Sequence, residues 1–134
     1  MKIQHKILVC STCASVWQNN KRVGISGGQK LFKKLTQQSQ DWSQSKNFTI
    51  ESVKCMSACS HSCVVAFAAP GKFTYVFGNL SHDANSISAT SAAVLDCAKL
   101  YCQKSDGVML WAERPEPLKK GIIARIPNFV WENS

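Results

Sequence analysis

Five of the seven cysteines stand in two short groups, and these are the residues whose types and spacing could do chemistry. Cys10 and Cys13 form a Cys-x-x-Cys pair, and Cys55, Cys59 and Cys63 fall within nine residues of one another. Thiolates are the ligands that soft metal ions and iron–sulfur clusters require. Single cysteines often serve as small buried hydrophobes, but two groups exceed what a core needs. We therefore predict a soft-metal site, most simply an iron–sulfur cluster.

The length and composition of the chain predict one globular domain. The 134 residues are 45% hydrophobic, which predicts a single domain over 1–134 in which residues 105–134 form an extended tail. No apolar run approaches the roughly 18 to 20 residues that span a bilayer, and the N-terminus lacks a secretory signal. We therefore expect no membrane association and a cytoplasmic location, where thiols stay reduced. The odd number of cysteines also disfavours a closed disulfide framework.

The positive charge is concentrated near the N-terminus. The formal net charge is +8, and residues 1–40 contain lysines and arginines but no aspartate or glutamate. Such a surface attracts acidic partners by electrostatic steering, although it could also serve solubility alone. Nucleic acid is disfavoured as a partner, because the lysines lack interleaved aromatic residues. The candidate partners are therefore an acidic redox protein or an anionic cofactor, and we expect the chain to be a monomer or homodimer.

Two predicted strands each lead into a cysteine group. Residues 3–9 turn apolar toward Cys10 and predict a central strand, and residues 48–54 alternate and run into Cys55. Between them, residues 14–28 predict an irregular loop. If the two strands are parallel neighbours, the cysteine groups meet at one edge of the sheet, where open α/β sheets place their chemistry.

A helix is predicted between these strands, from about Gly27 to Trp42, with Ser26 as its cap. Leu31, Leu35, Phe32 and Trp42 form its apolar face, and Lys30, Lys33, Lys34 and Gln37 form a basic outer face. An exposed Gly27-Gly28 pair at the helix start could bind a phosphate, although this pattern is a weak signal.

The second half predicts a hairpin and another helix. Strands over 64–69 and 72–78 flank Pro70-Gly71, a pair typical of a type II turn. A helix follows over about 86–102, on which we interpret Cys97 and Cys102 as packing residues. The irregular tail contains a short edge strand over 121–125 and is expected to be anchored by Trp111, Phe129 and Trp131. This order predicts a thioredoxin-like α/β fold, with a four-stranded mixed sheet and two main helices.

Three chemistries are compatible with the cysteines. A [2Fe-2S] or [4Fe-4S] cluster would take four thiolates, from Cys10, Cys13, Cys55 and Cys59, with Cys63 as a spare or alternate ligand. A structural zinc could use the same thiolates. Thiol–disulfide exchange at Cys10 and Cys13 is disfavoured, because the predicted helix starts more than ten residues later and its N-terminus therefore cannot lower a thiol pKa in the usual way. Haem with a cysteine axial ligand is a weaker option.

The sequence also resembles the predicted metal-binding proteins grouped as domain-of-unknown-function family 1636, which are related to thioredoxin-like [2Fe-2S] ferredoxins. The matching stretches are Val9 to Cys13, Cys55 to Ala66, Gly71-Lys72, Tyr75, Gly78 to Leu80, Arg114-Pro115 and Arg125 to Pro127. The resemblance implies a thioredoxin-like fold and a [2Fe-2S] electron-transfer site. It carries over Cys10, Cys55 and Cys59. The fourth ligand stays open between Cys13 and Cys63, since these ferredoxins place a cysteine where this chain has the region around Val23.

The predicted function is therefore that of a small iron–sulfur protein, which transfers electrons or senses redox state or iron. Such a protein is an electron carrier or binding protein rather than an enzyme. Two alternatives remain open from the residues. One is a structural zinc module that docks an acidic partner through its basic face. The other is a thiol–disulfide redox protein.

Overall fold

The computed structural model describes residues 4–11, 16–54 and 63–127. Its strands and main helices are β1 (His5–Cys10), β2 (Val16–Gln18), β3 (Lys21–Val23), α1 (Gly27–Ser39), β4 (Phe48–Val53), β5 (Val65–Ala68), β6 (Thr74–Phe77), α2 (Ile87–Gln103) and β7 (Ile122–Ile126). Short 3-10 turns occupy Ser45–Asn47, Trp111–Glu113 and Glu116–Leu118. Within these ranges, neither α1 nor α2 combines the length and the hydropathy that a membrane crossing needs.

The main sheet is mixed, as predicted. Its strand order is β4-β1-β5-β6-β7, with β1 parallel to β4 and the other neighbours antiparallel. β1 is an interior strand, as its apolar sequence indicates. The prediction of four strands was one too few, because the edge strand expected in the tail pairs with β6 as β7 and extends the sheet to five.

The predicted hairpin is confirmed at Pro70-Gly71. Gly71 has a φ of +78°, and the amide of Lys72 donates to the carbonyl of Ala69 at 3.2 Å. A left-handed glycine after proline is the requirement of a type II turn. β5 and β6 then pair Val65 with Phe77, so the two strands carry their aromatic residues into the core.

A second hairpin occupies the region predicted as an irregular loop. β2 and β3 form a two-stranded sheet with Val16 opposite Val23. The turn between them is Asn19-Asn20, with φ values of 52° and 64°. Two consecutive left-handed residues are the signature of a type I′ turn, which asparagine tolerates better than most residues. The Asn-Asn pair was therefore the local signal for this hairpin.

α1 begins where its sequence predicts. The Ser26 side chain accepts from the amide of Gln29 at 3.1 Å, and the Gln29 side chain accepts from the Ser26 amide at 3.0 Å. This reciprocal capping box satisfies two otherwise unpaired amides. The helix ends at Ser39 rather than at Trp42, whose indole instead packs against the ring of Phe48.

The core lies between the helices and one face of the sheet. Val94, Ala98 and Tyr101 of α2 are fully buried, as are Leu31 and Leu35 of α1. Tyr101 packs edge-on against two rings from β1 and β6, those of His5 and Tyr75. These contacts confirm that the aromatic residues of the hairpin serve packing rather than an exposed stacking surface.

The tail is anchored by other residues than those predicted. Trp111 is 57% exposed, with the ammonium of Lys119 over its ring, so the prediction for Trp111 was wrong. Met109 and Leu118 are buried instead, and the Met109 amide donates to the Tyr75 hydroxyl at 2.8 Å. A hydrogen bond to a buried tyrosine fixes this part of the tail, and the turn at Trp111 then points outward. Phe129 and Trp131 lie outside the described residues.

Candidate functional site

The site is at one edge of the main sheet, where four chain segments end or turn. This cysteine edge is defined by Cys10 at the end of β1, Val53 at the end of β4, Cys63 before β5 and Gly78 after β6. Of the five predicted ligands, the structure describes Cys10 and Cys63. Cys13, Cys55 and Cys59 lie outside the described residues, so their proposed roles remain predictions.

The parallel pairing of β1 with β4 brings the two cysteine groups together in the fold. Cys10 is in register with Val53, and the Ser11 amide donates to the Val53 carbonyl at 2.8 Å. The Ser11 hydroxyl donates to the same carbonyl at 3.1 Å. Cys55 follows Val53 by two residues in the sequence. The prediction that both strands deliver the chain to one sheet edge is therefore confirmed for the described strand ends.

Backbone pairing also fixes Cys63 beside Cys10. The Cys10 amide donates to the carbonyl of Val64 at 3.1 Å, which continues the antiparallel β1–β5 ladder beyond Val9 and Val65. On its other side, Cys63 exchanges two hydrogen bonds of 3.2 Å with Leu80. Cys63 was predicted as a spare or alternate ligand, and the structure pairs its backbone with Leu80 while the next residue, Val64, pairs with Cys10.

The two described thiols are buried and influence each other. Cys10 is 1% exposed and Cys63 is fully buried. Burial raises the pKa of the Cys63 thiol to about 11, and negative charge on Cys10 contributes in the same direction. Two thiols that interact in this way share one small region. Cys63 is accordingly a neutral thiol near pH 7, and a bound metal ion would have to displace its proton.

The N-terminus of α1 packs directly against this edge. The Ser26 hydroxyl donates to the Ser11 carbonyl, and a Cβ at Gly28 would overlap the carbonyl oxygen of Cys10. Only glycine fits there. Gly27 and Gly28 are both buried, so the predicted exposed pair does not exist. The helix end was also expected to be remote from the Cys10–Cys13 pair, but it contacts the backbone of Cys10, because the β2–β3 hairpin occupies much of the intervening sequence.

A second group of sulfur atoms lies within the core under α2. The fully buried Cys97 thiol donates to the Met109 thioether at 3.6 Å. Burial raises the pKa of Cys97 to about 12, although the guanidinium of Arg114 acts in the opposite direction. Cys102 is only partly buried. These surroundings agree with the interpretation of Cys97 as a packing residue. Within the described residues, no three His, Cys, Asp or Glu side chains are grouped as metal ligands.

Comparison with known proteins confirms the fold. A thioredoxin-like [2Fe-2S] ferredoxin from Aquifex aeolicus superposes with a TM-score of 0.51 over 96% of this chain and 98% of its own, at 15% sequence identity. At this identity the likeness shows a thioredoxin-like fold and nothing finer. No curated protein matches the sequence. The model of one protein family, described as "Protein of unknown function (DUF1636)", matches residues 7–128, and this chain belongs to that family.

Proposed function

We propose that this protein binds a [2Fe-2S] cluster at the cysteine edge and uses it to transfer or sense electrons. One observation carries the proposal: strands β1 and β4 end side by side at the edge where the Cys10 amide bonds to the carbonyl of Val64, the residue after Cys63. The resemblance to the Aquifex ferredoxin supports it, since that protein is named as a [2Fe-2S] ferredoxin on the same fold.

The proposed ligands are Cys10, Cys13, Cys55 and Cys59, with Cys63 as the alternate fourth thiolate. Cys10 is already placed by two strand pairings and by the α1 N-terminus. Cys55 and Cys13 are tethered to the same edge by short stretches of chain. Four thiolates are the number that such a cluster takes. The donors at this edge therefore match the soft ligands that iron–sulfur clusters need.

Cys63 competes with Cys13 for the fourth position. Its backbone is paired with Leu80, and negative charge on Cys10 helps to raise its pKa. A ligand with fixed backbone costs little conformational entropy when it binds a cluster. Cys13 offers a different advantage, because Cys-x-x-Cys spacing lets two thiolates reach one metal ion. We propose that one of these two cysteines completes the set, and the experiment below distinguishes them.

The bound cluster would supply a one-electron redox couple, and the chain would bind and shield it. The N-terminus of α1 presents the positive end of the helix dipole to this edge, which favours negative charge nearby. Burial of Cys10 limits access of water. Both effects act on the potential of a cluster held there, because hydrogen bonding and exposure tune iron–sulfur potentials.

Thiol–disulfide exchange is the second candidate, and the position of α1 favours it. Helix N-termini activate thiolates in many redox proteins, and Ser26 and Gly28 lie against the backbone of Cys10 and Ser11. However, a thiol that is 1% exposed is a poor nucleophile toward a protein disulfide. Structural zinc is the main metal alternative and would use the same thiolates. Metal analysis separates all three functions.

Serine substitutions under anaerobic conditions test the proposal. Cys55→Ser and Cys59→Ser should each abolish or shift the visible absorbance and lower bound iron and sulfide, because serine is a much poorer ligand. Cys13→Ser and Cys63→Ser should differ, with loss in the variant that lacks the fourth ligand. Cys102→Ser is the matched control and should behave like wild type. Wild-type spectra from both Cys55 and Cys59 variants would refute the cluster.

A further inference from the structure

A groove lies along the outer face of α1, next to the residues that lead into α2. We call it the lysine groove, and it encloses about 330 Å³. Its positive wall consists of three lysines of α1, and its apolar lining includes Ile25, Ala84 and Ile87. The lysines are Lys30, Lys33 and Lys34. No aspartate or glutamate lines it.

The lysines of this groove form no ion pair with a described carboxylate, including that of Asp83, which lies in the sequence between the lining residues His82 and Ala84. The ion pairs among the described residues join Lys6 to Glu51, Lys104 to Glu113 and Lys119 to Glu116, and none involves the groove. The three lysines recur at the i, i+3 and i+4 positions of one helix, so their ammonium groups share a face. Their combined potential attracts carboxylates and repels cations.

An exposed apolar side chain stands at one end of the same groove. Ile25 is 57% exposed and directly precedes Ser26, the residue that caps α1 and contacts Ser11 at the cysteine edge. Ile87 lies across the groove at the start of α2 and is partly buried. An occupant would therefore meet both ammonium groups and apolar side chains in the same groove. Phosphate or a free carboxylate would satisfy only the lysines.

We propose that the lysine groove docks an acidic segment of a partner protein that also carries apolar side chains. Carboxylates of the segment would pair with the three lysines, and a leucine or isoleucine would cover Ile25 and Ile87. Nucleic acid fits less well, because the lining has no arginine and His82 is the one aromatic ring named in it, whereas single strands need several rings for stacking. A bilayer fits less well too, because the apolar residues line a concavity rather than a protruding face.

The docking proposal rests on the charge and apolar lining of the groove and does not require a bound cluster. It also places the partner beside the cysteine edge, since Ile25 is joined through Ser26 to the contact with Ser11. If the proposed electron transfer is correct, this is the surface at which a redox partner would approach. That second statement rests on the proposed function, whereas the docking can be measured whatever the metal content.

A fluorescent twelve-residue peptide of alternating glutamate and leucine pairs tests the docking by fluorescence anisotropy. The protein should bind it saturably, and the affinity should fall as salt rises. Lys30→Glu/Lys33→Glu should weaken binding by about tenfold or more, because two attractions become repulsions. Lys99→Glu/Lys120→Glu makes the same change in net charge at exposed lysines elsewhere and should bind within about twofold of wild type.

Four further probes decide what the groove selects. A peptide with glutamine in place of glutamate should lose most of its binding, and one with serine in place of leucine should lose part of it. A single-stranded oligonucleotide and vesicles rich in anionic lipid should bind more weakly than the acidic peptide. Equal losses in the two double variants, tighter binding to either alternative probe, or no saturable peptide binding would each overturn the proposal. Circular dichroism should show that both double variants are folded.

Discussion

Within the described residues, buried sulfur atoms occupy two regions, and the regions have different surroundings. At the cysteine edge, Cys10 and Cys63 lie where strands end and where the N-terminus of α1 meets the sheet. Under α2, Cys97 contacts Met109 inside the core. Both regions are dry, because Cys10, Cys63 and Cys97 are each no more than 1% exposed. Burial alone therefore does not separate a candidate ligand from a packing residue.

The two regions differ in whether the adjacent chain segments carry further thiols. At the edge, Cys10 is followed by a chain segment that carries a further thiol, and Val53 leads into two more. Under α2, Cys97 is fixed in the middle of a helix and faces a thioether, which is a weak ligand. Adjacent segments with further thiols can complete a coordination shell, whereas a rigid helix cannot supply three more. The comparison shows why five cysteines are candidate ligands and why Cys97 is not.

The largest expected difference between the regions concerns bound iron. Cys10→Ser should remove most of the bound iron and the visible absorbance, because it deletes the thiolate that two strand pairings and α1 position. Cys97→Ser should keep the iron of wild type, although it loses some stability. Iron, sulfide and absorbance measured per folded protein check this. Equal iron loss in both variants would show that the two regions do not differ in function.

The next largest effect concerns the close contact between α1 and the edge. Gly28→Ala should lower the free energy of unfolding by about 1 to 3 kcal/mol, because the added Cβ meets the Cys10 carbonyl, a backbone atom that cannot rotate away. The better helix propensity of alanine offsets at most about 1 kcal/mol of this cost. Thr36→Ala, an exposed substitution in the same helix, is the control. Urea denaturation that leaves Gly28→Ala as stable as this control would contradict the packing.

The buried Cys97 thiol should make the free energy of unfolding depend on pH in the alkaline range. Burial raises the pKa of Cys97 from 9.0 to about 12, so the folded state keeps a proton that the unfolded chain releases. The stabilisation is complete below pH 9 and is lost as pH rises toward 12. The slope from this group is about 1.4 kcal/mol per pH unit within that window. Cys97→Ala removes this contribution to the pH dependence of stability. Other groups with raised pKa values still contribute to the pH dependence of both wild type and variant.

Equilibrium unfolding of wild type and Cys97→Ala from pH 8 to pH 10.5 measures this difference. The variant should be less stable at pH 8, because it leaves a small cavity, and the gap should narrow above pH 9. Two curves that stay parallel throughout this range would show that Cys97 ionises in the folded state as readily as in the unfolded chain.

The smallest effect concerns the cap of α1. Ser26→Ala should cost about 1 kcal/mol, because it removes the acceptor for the Gln29 amide and the hydroxyl that donates to Ser11. Ser39→Ala removes a hydroxyl at the other end of α1, which donates to Thr36, and should cost much less. Thermal denaturation compares the two serines. A larger loss at Ser39 would show that the cap does not hold α1 to the cysteine edge.

The elements that follow simple chemical rules were predictable from sequence. Ser26 and Gln29 cap α1, Pro70-Gly71 turns the hairpin, and apolar residues before Cys10 mark an interior strand. The parallel pairing of β1 with β4 also followed from the order of elements. The short strand β7 was expected, but its pairing with β6 as a fifth strand of the main sheet was not. Strand pairing depends on partners that are far away in sequence.

Parts of the site could not be predicted because they depend on packing between distant residues. The contact of Gly28 with Cys10 spans the β2–β3 hairpin, and sequence separation suggested that the helix end was far from the thiols. The mutual influence of Cys10 and Cys63 depends on the antiparallel register of β1 and β5. Trp111 was expected to anchor the tail because tryptophan is usually buried. The hydrogen bond from the Met109 amide to the Tyr75 hydroxyl fixes the tail instead.

The most direct test is one sample of wild-type protein purified without oxygen, on which the visible absorption spectrum and the iron, sulfide and zinc contents are measured together. The proposed function predicts a coloured protein with the absorption of a thiolate-ligated iron–sulfur centre and about two iron and two sulfide per chain, as a [2Fe-2S] cluster contains. A colourless protein that carries zinc, or one that carries no metal, would contradict it.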